Sequence, residues 1–173
     1  AQFNLGVIYF NGDGVSRDIN KAIHYFSLAA NQNHSKAQFK LGFIYYHGDG
    51  VSRDIDKAIY YYSLAANQNN SKAQFDLGFI YYNGYLVSRD IDKAIYYYSL
   101  AAKQNYTDAQ FNLGVIYDEG YLVSRDIDKA IHYYSLAANQ NDSKAQYILG
   151  LIYFKGDGVS RDINKAIHYF SLA

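Results

Sequence analysis

The groups that could do chemistry in this 173-residue chain are five histidines, sixteen acidic residues and scattered hydroxyls, and their spacing decides what they do. His24, His132 and His168 occupy one place in a segment that recurs every 36 residues, and Tyr60 and Tyr96 fill that place in the other copies. Metal ligands must converge on one point, and a ladder spaced by a whole repeat does not, so these read as surface histidines. The aspartates of Ser-Arg-Asp (Asp18, Asp54, Asp90, Asp126 and Asp162) each open a helical segment. A carboxylate there accepts backbone N–H bonds and meets the positive end of the helix dipole, which accounts for all five copies without catalysis. Gly-Asp-Gly-Val lacks the lysine and helix context of a phosphate loop, and its central acid would repel phosphate. No nucleophile has a base with a supporting third group. The absence of cysteine excludes thiolate metal sites, disulfides and cysteine nucleophiles. The sequence therefore assigns no catalytic residue, no cofactor and no metal. Asn33-His34-Ser35, Asn69-Asn70-Ser71, Asn105-Tyr106-Thr107 and Asn141-Asp142-Ser143 satisfy the N-glycosylation rule. The same residues suit a helix-ending asparagine and a helix-opening hydroxyl.

The elements that position these residues follow from the repetition. Aligned on Ala1, Ala37, Ala73, Ala109 and Ala145, the copies span 1–36, 37–72, 73–108, 109–144 and an incomplete 145–173. A unit this short cannot bury its own apolar face, so neighbours must stack into one continuous core, as in a single repeat array. The first copy opens without the capping residues that precede the later ones, and the last stops inside its second helix. The expectation is a fragment of a longer array. Sixteen basic and sixteen acidic residues cancel, so no long-range field favours nucleic acid or an anionic membrane. Apolar stretches such as 95–102 are interrupted by serine and too short to span a bilayer.

Each repeat reads as two helices. The first is expected to open with a capping box, Ser35 with Gln38, repeated at Ser71/Gln74, Thr107/Gln110 and Ser143/Gln146. It ends near the glycine of YFNG, YYHG, YYNG, YDEG or YFKG, where a left-handed residue costs little. The second starts at the Ser-Arg-Asp aspartate and ends near Asn33, Asn69, Asn105 or Asn141. Helical wheels put Ala37, Leu41, Ile44 and Tyr45 on one stripe facing the second helix. Ile55, Ala58, Ile59, Tyr62 and Ala66 form the matching stripe, with Tyr60 facing solvent. Gly42, repeated in every copy, costs about 1 kcal/mol in a helix against alanine, which points to close helix approach. No segment shows sustained strand alternation.

The string carried by Ala37, Leu41, Gly42, Tyr45, Gly48, Gly50, Val51, Asp54, Lys57, Ala58, Tyr61, Ala65 and Ala66, with its equivalents in the other copies, resembles the Sel-one-like repeat. That is a relative of the tetratricopeptide repeat. The family's frequent tryptophan is here Tyr25, Tyr61, Tyr97, Tyr133 and Tyr169, and its late glycine is asparagine. The resemblance implies an all-α fold, a right-handed α/α superhelix or solenoid of two-helix repeats, whose first helices line the concave surface. It also implies an interaction scaffold, or an accessory module of a larger enzyme such as a kinase or a ubiquitin-ligase degradation component. Relatives occur in the endoplasmic reticulum, the cytosol and bacteria, so the compartment stays open. A hydrolase reading, suggested for cysteine-rich bacterial relatives, lacks its cysteines and its nucleophile here.

The copies differ most at repeat positions 4, 7, 10 and 11, on one side of the first helix. These are Asn4, Val7, Phe10 and Asn11, then Lys40, Phe43, Tyr46 and His47, then Asp76, Phe79, Tyr82 and Asn83. The fourth and fifth copies supply Asn112, Val115, Asp118 and Glu119, then Ile148, Leu151, Phe154 and Lys155. A groove mixing aromatic anchors with charges of both signs suits an extended peptide or a partner helix. The alternative for Phe43 and Phe79 is packing against neighbouring repeats. Lys40, Asp76, Asp118 and Glu119 are expected to stay unburied. The partner is thus a protein or peptide, not nucleic acid, and the oligomeric state is open. The third and fourth copies read Tyr85-Leu86 and Tyr121-Leu122 where the others have Asp-Gly. Leucine at positive φ costs about 1 kcal/mol or more, so these loops are expected to turn differently or keep negative φ. The two Tyr-Leu pairs form a second candidate patch, unless the leucines pack locally.

Overall fold

The computed structural model describes residues 1–84 and 86–173. Among them are ten helices and no strand: α1 (Gln2–Asn11), α2 (Ile19–Ala30), α3 (Ser35–His47), α4 (Ile55–Ala66), α5 (Ser71–Asn83), α6 (Ile91–Ala102), α7 (Thr107–Glu119), α8 (Ile127–Ala138), α9 (Ser143–Lys155) and α10 (Ile163–Leu172). They divide into two compact units, Ala1–Asp90 and Ile91–Ala173. Within each, every helix packs on the next in chain order.

The second helices begin as the sequence requires. Asp18, Asp54, Asp126 and Asp162 each accept the backbone N–H three residues on, at 2.9–3.0 Å. The neighbouring lysine ammonium closes on the same carboxylate. The Lys57 N–H holds the Asp54 carboxyl below its usual range; at Asp126 the larger cause is the Lys129 side chain. The aspartate's own N–H also donates to the first helix, as in Asp54 to the Tyr45 carbonyl at 2.9 Å, which ties the connecting loop shut.

The first helices begin one residue earlier than the capping-box reading placed them. His34, Asn70 and Asp142 are the caps, each accepting from the N–H of Ala37, Ala73 or Ala145. Ser35 is therefore already inside the helix, and Gln38 is one residue too far along to reach back. The glutamine is instead buried and donates to the Ala30 carbonyl at the end of the preceding helix. Gln74, Gln110 and Gln146 do the same at Ala66, Ala102 and Ala138. Each of these carbonyls also accepts the N–H of the asparagine three residues on, so the glutamine adds a second bond that ties the helix end to the next repeat. Asn33, Asn69, Asn105 and Asn141 do adopt positive φ, 58–63°, just after the second helices.

The core of each repeat is a close approach of two helices. Ala37, Leu41 and Ile44 of α3 are fully buried with Ala22, Phe26, Ala29 and Ala30 of the preceding α2, so this stripe faces the second helix of the repeat before and not, as the helical wheel suggested, that of its own. The Tyr62 ring lies directly on the backbone of Gly42, where a Cβ would stand 2.6 Å from Cδ1. Phe26 covers Gly6, Tyr134 covers Gly114 and Phe170 covers Gly150 in the same way. Beside this contact Tyr45 stacks on Tyr61 at 5.9 Å, with the Lys57 ammonium over the Tyr45 ring at 5.1 Å. Gly42→Ala is expected to lower stability by about 1–3 kcal/mol even though alanine favours helix, because the ring cannot retreat without opening the core. Urea denaturation measures this, and an unchanged or raised midpoint would contradict the close-approach assignment.

Candidate partner-binding surface

In the first compact unit the variable positions lie on α1, α3 and α5, and the structure assigns them unequal work. Position 10 is largely committed to packing: Phe10 meets Phe26 with ring centroids 6.4 Å apart, and Tyr46 meets Tyr62 at 6.5 Å. The Arg53 guanidinium covers Tyr46 from outside at 5.1 Å. Tyr82 is half-buried. Position 7 divides: Val7 packs against the core, Phe43 is half-buried with the His47 ring 4.2 Å away, and Phe79 is 42% exposed. Lys40 lies over Phe10 at 5.1 Å and Phe43 at 5.9 Å, which joins consecutive first helices through a cation–π stack. His47 and Asn83 are exposed at the helix ends.

Asp76 departs from the expectation that it stays unburied. It is half-buried and hydrogen-bonded to the Tyr62 hydroxyl of α4. Burial pushes its carboxyl up to about 6, partly offset by the Tyr62 bond and by Lys72. Burial and the neighbouring Asp76 charge raise the Tyr62 phenol in turn.

In the second compact unit Val115 and Leu151 are half-buried, while Glu119 is exposed and Phe154 is 48% exposed. Arg161 lies over the Phe154 ring at 5.5 Å and donates to its carbonyl. Asp118 is half-buried too, bound to Arg125 at 3.0 Å. Arg125 also grips Asp157 of the next repeat through two bonds of 2.9 Å, as Arg17 grips Asp49 in the first unit at 2.6 and 2.7 Å. The pairing raises Arg125 and lowers Asp157. Sequence reading missed this clasp, although its signal was present: the acid occurs only in Gly-Asp-Gly loops.

The Tyr-Leu loops divide. Leu86 has φ 68°, like Gly50 at 72° and Gly158 at 71°, so the expectation of negative φ fails there. Leu86 itself keeps the left-handed backbone that glycine has in the first, second and fifth copies and bears the strain. Leu122 is not among the positive-φ residues, so the fourth copy turns differently. Leu86, Tyr121 and Leu122 are exposed; Tyr85 lies outside the described residues.

Among the described residues no cluster of three histidine, cysteine, aspartate or glutamate side chains could hold a metal. No helix among them is long and apolar enough to cross a membrane. His24, His132 and His168 are exposed, each edge-on to the following tyrosine.

Comparison with known proteins places this geometry in a family. The Sel1 repeat model matches residues 1–34, 35–70, 71–106, 107–142 and 143–173. The structure of c5321, a protective antigen of uropathogenic Escherichia coli displaying an SLR fold, superposes with TM-score 0.90 at 33% identity. That match covers 99% of this chain and 37% of c5321, so the chain spans little over a third of that relative. A Sel1 repeat protein from Oxalobacter formigenes gives TM-score 0.86 at 32% identity, covering 99% of this chain and 68% of that one. Cysteine rich protein B of Helicobacter pylori gives 0.60 at 28%, covering 77% of this chain and 96% of that one. Among curated protein sequences there is no significant match. The all-α fold of two-helix repeats is thus that of Sel1 repeat solenoids.

The Asp76 environment has a measurable consequence. A carboxyl whose folded value is raised stabilises the fold while protonated, and that contribution is lost as pH rises from about 4 to about 6. Asp76→Asn keeps an acceptor for Tyr62 and never ionises. The variant is expected to match the parent near pH 4 and exceed it by about 1–2 kcal/mol at pH 7. Paired urea titrations at the two pH values check this; a difference independent of pH would contradict it.

Proposed function

The chain belongs to the Sel1 repeat family, and on that premise we propose that it is a protein-interaction scaffold whose first helices carry the binding face. Sel1 repeat proteins generally act as protein-interaction scaffolds. The observation that supports this face is where the repeats differ. Side chains that build the helix pairs are nearly constant from copy to copy, whereas positions 7 and 10 change and in places present large apolar groups, with Phe79 at position 7 42% and Phe154 at position 10 48% exposed. Exposed aromatics on rigid helices are what a binding hot spot needs, since little ordering entropy is lost on contact.

The occupant is an extended peptide or a partner helix, and the scaffold presents side chains in fixed register without chemistry of its own. Phe43, Phe79 and Phe154 supply anchors; Lys40, His47, Asn83 and Glu119 supply the polar surround. Val115 and Leu151 line the same helix side in the second unit. Tyr46, Tyr82, Asp76 and Asp118 contribute indirectly, by fixing the backbone and neighbours on which the anchors stand. Leu86, Tyr121 and Leu122 form the secondary patch.

Affinity capture with the parent and with Phe43→Ala/Phe79→Ala tests this, once circular dichroism shows equal helicity. The variant leaves Phe10 and Tyr46 intact because those rings pack on Phe26 and Tyr62. Loss of a captured protein by about tenfold or more is expected, as for removal of two hot-spot aromatics. Undiminished capture by the folded variant would overturn the assignment of the face.

A further inference from the structure

The first compact unit holds a cleft of about 420 Å³ at the N-terminal ends of its first helices. The rings of Phe3 and Phe39, the side chains of Lys36, Lys40 and Lys72, and the turn at Asn70 line it, and no carboxylate does. Elsewhere in this unit lysines sit beside acids: Lys21 pairs with Asp18 and Lys57 with Asp54. Lys36, Lys40 and Lys72 form no ion pair among the described residues. Lys40 lies on the Phe10 and Phe43 rings. The acid within influence of Lys72 is Asp76, which is already engaged by Tyr62. The N-termini of α3 and α5 point their positive dipole ends toward the same region. A chain with no net charge thus concentrates three cations around two aromatic rings. The excess is local to this unit, since the corresponding positions in the second are Asp108 and Lys144, and Asn112 and Ile148.

We propose that this cleft takes an acidic segment of a partner protein, with its carboxylates on Lys36, Lys40 and Lys72 and an aromatic or apolar side chain between Phe3 and Phe39. This rests on the scaffold reading above and gives that partner its chemistry; Lys40 is common to the cleft and the variable face. Lys40 is half-buried while Lys36 and Lys72 are exposed, so the complementarity rests on three like charges acting together on one acidic segment. A peptide fits better than nucleic acid. Three cations in one cleft do not track a phosphate backbone, and zero net charge gives no long-range pull.

The test is fluorescence anisotropy with a labelled peptide in which glutamates flank a phenylalanine, beside its glutamine counterpart and a single-stranded oligothymidine. The parent is compared with Lys36→Glu/Lys40→Glu/Lys72→Glu and with Lys103→Glu/Lys144→Glu/Lys155→Glu, which changes net charge equally. Acids at two of the cleft positions suit the first helical turn, as Asp108 does in α7, so the variant is expected to fold. The expected result is about tenfold or greater weakening in the cleft variant alone, with binding that also weakens as salt is raised. Equal weakening in both variants, equal affinity for the glutamine peptide, tighter binding of the oligonucleotide, or no binding by the parent would each overturn the proposal. A captured protein lost by Phe43→Ala/Phe79→Ala but retained by the cleft variant would leave the scaffold reading standing and remove the acidic-segment assignment.

Discussion

In α1, α3, α7 and α9 one position gives up its side chain so that an aromatic ring can lie against bare backbone, and the rest of the structure depends on that contact. Gly42 under Tyr62 sets how close α3 and α4 come; Gly6 under Phe26 and Gly114 under Tyr134 do the same in their repeats. The close approach goes with small residues on α4, Ala58 and Ala65, both fully buried. It also brings Tyr45 over Tyr61 and draws the connecting loop within reach of the bond from Asp54 to the Tyr45 carbonyl. Glutamines 38, 74, 110 and 146 then join each repeat to the one before it by donating to carbonyls at the end of the preceding helix.

Such a frame leaves few positions free to change. Where copies vary, the structure shows three uses for the variation. Some substitutions stay inside the frame: Asp76 answers the Tyr62 hydroxyl, whereas Lys40 stands at the same place in the repeat where the preceding aromatic is Phe26 and needs no acceptor. Some adjust the joints, as Asp49 and Asp157 do in meeting Arg17 and Arg125. The remainder, Phe79 and Phe154 most clearly, stand outward. That sorting is what makes an interaction role for the first helices a physical argument rather than an analogy.

The frame was legible in the sequence because a short repeat multiplies each signal. Gly42 in every copy announced a close contact, and Asn33 with Gly48 marked two helix ends by their tolerance of positive φ. Less was legible where two roles share a residue type. Ser35 and Gln38 have the spacing of a capping box, but His34 and Asn70 can also cap, and burial of the glutamine decided the matter. Asp76 and Asp118 read as solvated charges because their partners, Tyr62 and Arg125, are brought up by packing and turn geometry. Leu86 shows the backbone of a turn outlasting the glycine that suits it. The lysine cleft was invisible for another reason: Lys36 and Lys72 belong to the helix starts, outside the four positions that vary most, and only the fold sets them beside Lys40.

The division of labour between the helices makes a direct demand on amide hydrogen exchange, measured for the chain alone and with a captured partner bound. Exchange is expected to slow in α3 and α5, along 39–47 and 72–83, while α2 and α4 keep their free-state rates. Protection confined to α2 and α4, with α3 and α5 unchanged, would contradict a first-helix binding face.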